Sequence, residues 1–307
     1  MNLDTISQNV LAQMRAYGAV PFHTCTPEQA RLIYDSNSSA VDHESQIKTV
    51  KKHLIPVSGG QNEVYVITPF DQPTSVIIFY HGGGWVVGKA SGYISYASYL
   101  AKKTKSIVVV ADYRKAPENP YPIPADDAYN ALLWVTENME KIAGETLPLI
   151  ICGESAGANL AAVTALRARD SGGPEIACQI LACPVTGDNF DNESYNAHGA
   201  QLLISKEDMK WFWNHYVPDP NKRKDPYVSP IYAKNLNGLP KTVIITAEYD
   251  PLCQEGEDYA VRLIKSGVPV TYKRFEGQMH GFFTWVDISP SSQNAHDIIS
   301  SQILNIK

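Results

Sequence analysis

Short apolar runs separated by longer amphipathic stretches organise the chain from residue 75 onward. Six such runs, at 75–80, 107–111, 149–152, 179–183, 243–247 and 268–275, are bounded by Gly, Pro or polar turn residues and are too short for helices, so they predict buried strands. Helical patterns lie between and after them, near 93–104, 125–137, 155–169, 255–266 and 295–305. Apolar strands that alternate with helices imply a mostly parallel sheet covered on both faces. Ahead of this alternation, two β-rich runs at 53–57 and 63–68 flank Ser58-Gly59-Gly60-Gln61 and predict an antiparallel hairpin, which brings the expected sheet to eight strands. Earlier still, 3–17 and 27–35 have helical patterning, the second preceded by Thr26 as an N-cap.

The alternation breaks at 186–224, which is polar at first and then aromatic, with Trp211, Phe212, Trp213 and Tyr216 close together. A block of this length between two strands predicts a lid or cap. The aromatics suit the lining of a channel and the interior of a cap equally well. At 307 residues, one α/β domain with an insertion is the expected organisation.

Composition narrows the functional classes. The net charge is −6 and the one basic cluster, Lys222-Arg223-Lys224, is followed by Asp225 and reads as a solvated loop, so nucleic acid and anionic membranes are not expected partners. Five cysteines without a CxxC spacing, three of them in apolar runs (Cys152, Cys178, Cys183), read as buried free thiols in a reducing compartment. The first twenty residues lack a basic start and an apolar block, and no run approaches a membrane span. A cytoplasmic protein without stable membrane association is the expectation.

Gly153-Glu154-Ser155-Ala156-Gly157 directly follows one apolar run and opens a helical stretch, the setting of a nucleophile elbow. A sharp strand-to-helix turn strains the serine backbone and brings neighbouring chain so close that both flanking positions require Gly. His81-Gly82-Gly83-Gly84-Trp85 follows the run at 75–80. Its glycines can turn backbone amides toward a developing oxyanion, and the amide of Ala156 adds another donor. His81 itself is expected to play a structural hydrogen-bonding role.

A nucleophilic serine needs a base, and the base needs a carboxylate to orient it. His280, just past the last predicted strand, is the expected base; His198 and His215 fall in the cap block and His296 starts the terminal helix, where surface positions suffice. Asp250 follows the run at 243–247 and precedes Pro251-Leu252, a turn that would fix its side chain; Glu248 on the same loop is its rival.

With these residues in place, the chain resembles the hormone-sensitive-lipase-like family of α/β-hydrolases, in its bacterial acyl esterase branch. The resemblance is carried by HGGGW at 81–85, DYRKAPENPYP at 112–122, GESAG at 153–157, DPYVSP at 225–230, DPL at 250–252 and HGF at 280–282. It implies a triad of Ser155, Asp250 and His280, oxyanion donors from Gly82, Gly83, Gly84 and Ala156, and structural roles for Arg114, Glu118 and Asp225. It also implies a cap built from the helices of 1–45 and from 186–224 over a core of 46–185 and 225–307, covering a pocket for short or medium acyl chains. A homodimer through the last sheet edge is a family-level expectation. Lys115 in place of the usual Leu, Glu154 in place of Asp, and Gln254 in place of an acidic residue depart from the pattern without removing a reacting group.

The expected reaction is two-step acyl transfer from a small-molecule ester, needing no metal or organic cofactor. An amidase or arylacetamide-type deacetylase would use the same triad. A non-catalytic receptor on the fold would be signalled by loss of the base, and His280 is present.

Overall fold

Ser58 and Gly59, the latter at a φ of +80°, turn the first strand back on the second with Val57 paired to Gly60. The computed structural model describes residues 2–36, 41–199 and 203–306. Its strands are Thr49–Val57 (β1), Gly60–Thr68 (β2), Ser75–Tyr80 (β3), Ser106–Ala111 (β4), Leu149–Glu154 (β5), Cys178–Ala182 (β6), Lys241–Tyr249 (β7) and Val270–Met279 (β8). They form one sheet in the order β1-β2-β4-β3-β5-β6-β7-β8. Pairing is antiparallel on both sides of β2 and parallel from β4 to β8. The eight-stranded, mostly parallel α/β expectation therefore holds.

The helices are Thr5–Ala16 (α1), Pro27–Ser36 (α2), Ile94–Thr104 (α3), Ile123–Glu137 (α4), Met139–Ala143 (α5), Ala156–Ser171 (α6), Glu193–His198 (α7), Lys206–Tyr216 (α8), Cys253–Lys265 (α9) and Pro290–Leu304 (α10). Alternation along the strands sends Val76, Ile78 and Tyr80 to a layer that contains α4, α6 and α9, and Ile77 and Phe79 to a layer that contains α3 and α10. Both faces are thus covered, which explains why β3, β4, β5 and β6 are buried throughout. The charged residues Lys51 and Lys52 on β1 stand exposed where an unpaired strand edge would otherwise invite association.

The chain before the sheet is tied to α8. Thr26 caps α2 as the sequence predicts, and Gln29 returns the bond to the Thr26 N–H. Asp208, in the first turn of α8, accepts from the backbone N–H of His23 at 2.9 Å and completes a capping box with Ser205. Phe22 packs on Phe212 with ring centroids 5.4 Å apart. Of the two segments expected to form a cap, residues 37–40 and 200–202, together with Met1, lie outside the described residues.

Several expectations need correction. The terminal helix starts at Pro290, capped by Ser289, five residues before the expected 295. That start puts Ala295, His296, Ile299 and Ile303 on the face toward the sheet, and His296 is fully buried instead of lying at the surface. It bonds Tyr96 Oη and the Ser292 carbonyl, both at 2.8 Å, and burial pushes its pKa down to about 4, so it is a neutral core residue. The 222–224 cluster is a short 3-10 turn in which Arg223 is buried, donating to Val217 O at 3.0 Å and Asn214 Oδ1 at 2.8 Å, while only its neighbours are solvated. β1 begins four residues earlier than expected and β8 runs on to Met279. All five cysteines are free, and Cys152, Cys178, Cys183 and Cys253 are buried.

Candidate active site

β3 and β5 lie side by side, with Tyr80 paired to Gly153, so the two glycine-rich turns that follow them meet at one point on the sheet edge. The chain leaves β3 toward β4 on one side and reaches β5 on the other, which opens the crevice where ligands collect in open α/β sheets. At the end of β5, Ser155 adopts φ 57° and ψ −121°, a conformation that L residues avoid. A Cβ on Gly153 would come 2.2 Å from the Gly157 carbonyl oxygen, and one on Gly157 would come 2.0 Å from that of Tyr80. Close backbone packing therefore dictates both glycines. The Ser155 N–H donates to Ala182 O at 2.9 Å, anchoring the turn to β6.

His280 follows β8 without an intervening loop. Its Nδ1 donates to Asp250 Oδ2 at 2.7 Å, which leaves Nε2 free to accept from Ser155 Oγ at 3.0 Å. Asp250 is fully buried, and its Oδ1 accepts from the Leu252 N–H at 2.9 Å, the local turn that holds the carboxylate in place. Glu248 is turned away and accepts from the Gly277 N–H at 2.7 Å, joining the ends of β7 and β8. The structure thus brings together Ser155, His280 and Asp250 and leaves Glu248 as a strand tie. Burial alone would disfavour the imidazolium of His280, but the charge and hydrogen bond of Asp250, with a further contribution from the charge of Glu154, raise its pKa to about 9.

The loop after β3 has φ +109° at Gly83, +56° at Gly84 and 61° at Trp85. Val86 and Val87 donate their N–H groups back to Gly83 O, whereas the amides of Gly83, Gly84 and Ala156 take no part in the loop's backbone bonding. Helix α8 holds this loop from above. Trp85 stacks on Tyr216 at 4.2 Å and meets Trp213 edge-on at 5.1 Å, and a Cβ on Gly84 would strike the Phe212 ring at 2.2 Å. Phe212 and Trp213 are consequently packed interior against the glycine loop, and Trp211 is half-buried.

Beneath the loop, His81 Nδ1 donates to Gly82 O at 2.7 Å and its Nε2 lies 3.3 Å from Asp112 Oδ1. Lys115 Nζ also binds Asp112, so the departure at 115 adds a cation to this support. Burial works against a charge on Asp112, yet His81 and Lys115 hold its carboxyl well below the usual range. Arg114 clamps Asp127 through two bonds of 2.9 and 2.7 Å, Glu118 pairs with Arg31, and Asp225 accepts from the Tyr227 N–H at 2.8 Å. Asn159 on α6 donates to Val185 O and Val228 O, tying the elbow helix to the 225–230 motif, a role with no signal in the sequence. A groove of about 560 Å³ beside this support, lined by the charged Arg31, Lys89, Asp112, Lys115 and Glu118 among others, contains none of the seven expected site residues.

Two side chains at the site were not placed from sequence. Glu154 is buried with Oε1 3.7 Å from His280 Nε2. Cys183, at φ 44°, has its sulfur near Asp250 and His280, with ligand atoms all within 4.8 Å of one another. Among the described residues this is the one Cys/Asp/His/Glu group close enough to hold a metal. Asp250 and His280 are already bonded to each other, however, and burial pushes the Cys183 thiol well above its ordinary pKa, so the cluster is a hydrogen-bonded one.

A family described as having the alpha/beta hydrolase fold matches residues 77–284, which include the whole constellation. Carboxylesterase NlhH of Mycobacterium tuberculosis is 34% identical over 72% of this chain and 70% of its own length. Carboxylic ester hydrolase LipN of the same organism is 34% identical over 81% of this chain and 65% of its own. Among solved structures, a hyperthermophilic esterase from Pyrobaculum calidifontis superposes with a TM-score of 0.92 at 34% identity, covering 99% of this chain and 98% of the other.

Proposed function

Because this chain belongs to the hormone-sensitive-lipase-like α/β-hydrolases and is a serine carboxylic ester hydrolase, we propose that Ser155 is its nucleophile, His280 its general base and Asp250 the acid that orients the base. Ser155 Oγ attacks the ester carbonyl as its proton passes to His280 Nε2; the amides of Gly83, Gly84 and Ala156, with the turn at Gly82, receive the oxyanion. His280 then hands the proton to the leaving alkoxide. Water, deprotonated by the same imidazole, releases the acyl group from Ser155. The observation that supports this most directly is the unbroken relay from Asp250 to His280 to Ser155 at 2.7 and 3.0 Å.

The proposal extends to short and medium acyl chains, admitted under a cap of the 1–45 and 186–224 segments. Phe212 and Trp213, packed on the glycine loop, support a cap that doubles as the clamp for the oxyanion amides. We further propose a cytoplasmic enzyme of small molecules, homodimeric across the exposed edge of β8, that does not bind nucleic acid; its net charge of −6 and its free cysteines favour this setting. Among the described residues no helix is long and apolar enough to cross a membrane.

Hydrolysis of p-nitrophenyl acetate, butyrate, octanoate and palmitate by the wild type beside Ser155→Ala tests the assignment. Turnover of the shorter esters, lost in the variant, is the expected result. Equal turnover by both proteins would remove Ser155 from its role, and a preference for palmitate would remove the chain-length proposal.

A further inference from the structure

Glu154 is the last residue of β5, and its side chain is 8% exposed. Oε1 lies 3.7 Å from His280 Nε2, and Oε2 occupies space that a Cβ on Gly82 would fill, 2.1 Å away. The carboxylate therefore sits between the imidazole and the oxyanion loop, on the side of the ring opposite Asp250. Its pKa is raised by burial first, with the charge of His280 opposing and that of Asp250 assisting; no hydrogen bond from the described residues contributes. The titratable groups that feel its charge are His280, Cys183 and the phenols Tyr34, Tyr93, Tyr96 and Tyr113, together with Asp250. His280 is the one cation among them, and it becomes neutral at each turnover. No hydrogen bond from the described residues holds this carboxylate, whose side chain keeps 8% exposure and whose charged neighbour is His280 at 3.7 Å, so it can accept from a donor supplied from outside.

The reaction supplies the geometry of that donor. The leaving oxygen must approach His280 Nε2 to take its proton, and Glu154 Oε1 is 3.7 Å from that same nitrogen. Atoms three bonds beyond the leaving oxygen therefore pass beside the carboxylate, whereas the acyl half extends from the carbon bonded to Ser155. We propose that Glu154 is a specificity residue for the alcohol half of the ester, selecting alcohols with a hydroxyl or a protonated amine three bonds beyond the ester oxygen, as in esters of polyols and amino alcohols. The inference rests on Ser155 and His280 acting as proposed above. A site built to bond such a donor discriminates against the hydrocarbon isostere, because the isostere leaves the buried acceptor unpaired.

The test compares matched butyrates. 2-Hydroxyethyl butyrate is set against propyl butyrate, and 2-(dimethylamino)ethyl butyrate against 3-methylbutyl butyrate, each ratio of kcat/KM being corrected by the same pair's rate of hydroxide-catalysed hydrolysis. The wild type should favour at least one donor-bearing ester by about tenfold or more over its isostere. Glu154→Leu should abolish that preference. Glu154→Gln, which keeps an acceptor and loses the charge, should retain a preference for the hydroxyl and lose one for the ammonium. Ratios taken within one enzyme do not depend on the fraction folded. A wild type that treats both pairs alike, or a preference that survives in Glu154→Leu, overturns the proposal. Hydrolysis of p-nitrophenyl butyrate, present in wild type and lost in Ser155→Ala, is measured alongside; if that pattern fails, the underlying assignment falls, and if it holds while the ratios are flat, the role of Glu154 alone falls.

Discussion

Replacing Asp250 with Asn changes one atom, and the consequence can be worked out from the two bonds its carboxylate makes. Oδ1 receives the Leu252 N–H at 2.9 Å and Oδ2 receives His280 Nδ1 at 2.7 Å. An asparagine must keep its carbonyl oxygen on the Leu252 amide, which directs its NH2 at His280. Nδ1 is then forced to accept, the ring proton moves to Nε2, and Nε2 can no longer take the proton of Ser155. Turning the amide over restores the productive tautomer but sets NH2 against a buried N–H, at a cost of about 1–3 kcal/mol. The neutral amide also forfeits the charge-assisted bond that stabilises the imidazolium, about 1.5–3 kcal/mol more. Together these lower kcat/KM by roughly 10²–10⁴-fold. The assay is hydrolysis of p-nitrophenyl butyrate by wild type and Asp250→Asn, with thermal melts to show that both are folded. A loss smaller than about tenfold in a folded variant would mean that Asp250 does not set the tautomer of His280.

Raised to about 9, the pKa of His280 makes catalysis and stability respond oppositely to pH. With the neutral imidazole as the proposed base, kcat/KM for an uncharged ester should climb as pH rises toward 9, beyond the range of an ordinary histidine. Between the ordinary value of 6.5 and about 9 the folded state holds the proton more tightly than the unfolded one, so the stability from the His280–Asp250 pair is fully present below 6.5 and lost as pH passes 9. Urea midpoints that rise with pH across this window, from this pair, would contradict the shift. At the elbow, Gly157→Ala would press a methyl to 2.0 Å from Tyr80 O and 2.6 Å from His81 O, both backbone atoms that cannot yield. Little folded protein is expected, whereas Gly92→Ala, with 4.0 Å to its nearest neighbour, should melt like wild type; circular dichroism of the two distinguishes them.

What the sequence discloses about this protein follows from where backbone constraints lie. A strand covered on both faces must be apolar throughout, so β3, β4, β5 and β6 are legible as runs, and groups serving the site must follow such runs at the sheet edge, so Ser155 and Asp250 could be placed by position. The first four residues of β1 escaped because its edge position lets Lys51 and Lys52 face solvent, which erases the apolar signal there. The start of α10 escaped for a related reason: behind the Ser289 cap its first residues, Pro290-Ser291-Ser292-Gln293-Asn294, carry no apolar signal, and without that turn the face of His296 is assigned wrongly.

The choice between Glu248 and Asp250 was of another kind. They stand two residues apart, Glu248 near the end of β7 and Asp250 just beyond it, and only the position of Gly277, on a neighbouring strand, shows that Glu248 is already engaged. Glu154 extends that logic furthest. Its place before Ser155 was visible, but what directs its carboxylate at His280 is the missing side chain of Gly82, on the loop that follows the neighbouring strand. Gly82 belongs to a run of three glycines for which oxyanion binding is sufficient reason, so nothing in the run reveals a second requirement. Residues that form the backbone of a reaction are constrained by their own neighbours in the chain and can be read there. Residues that adjust the reaction are constrained by empty space left elsewhere, and in this chain that space becomes visible only when Glu154 is seen to fill it.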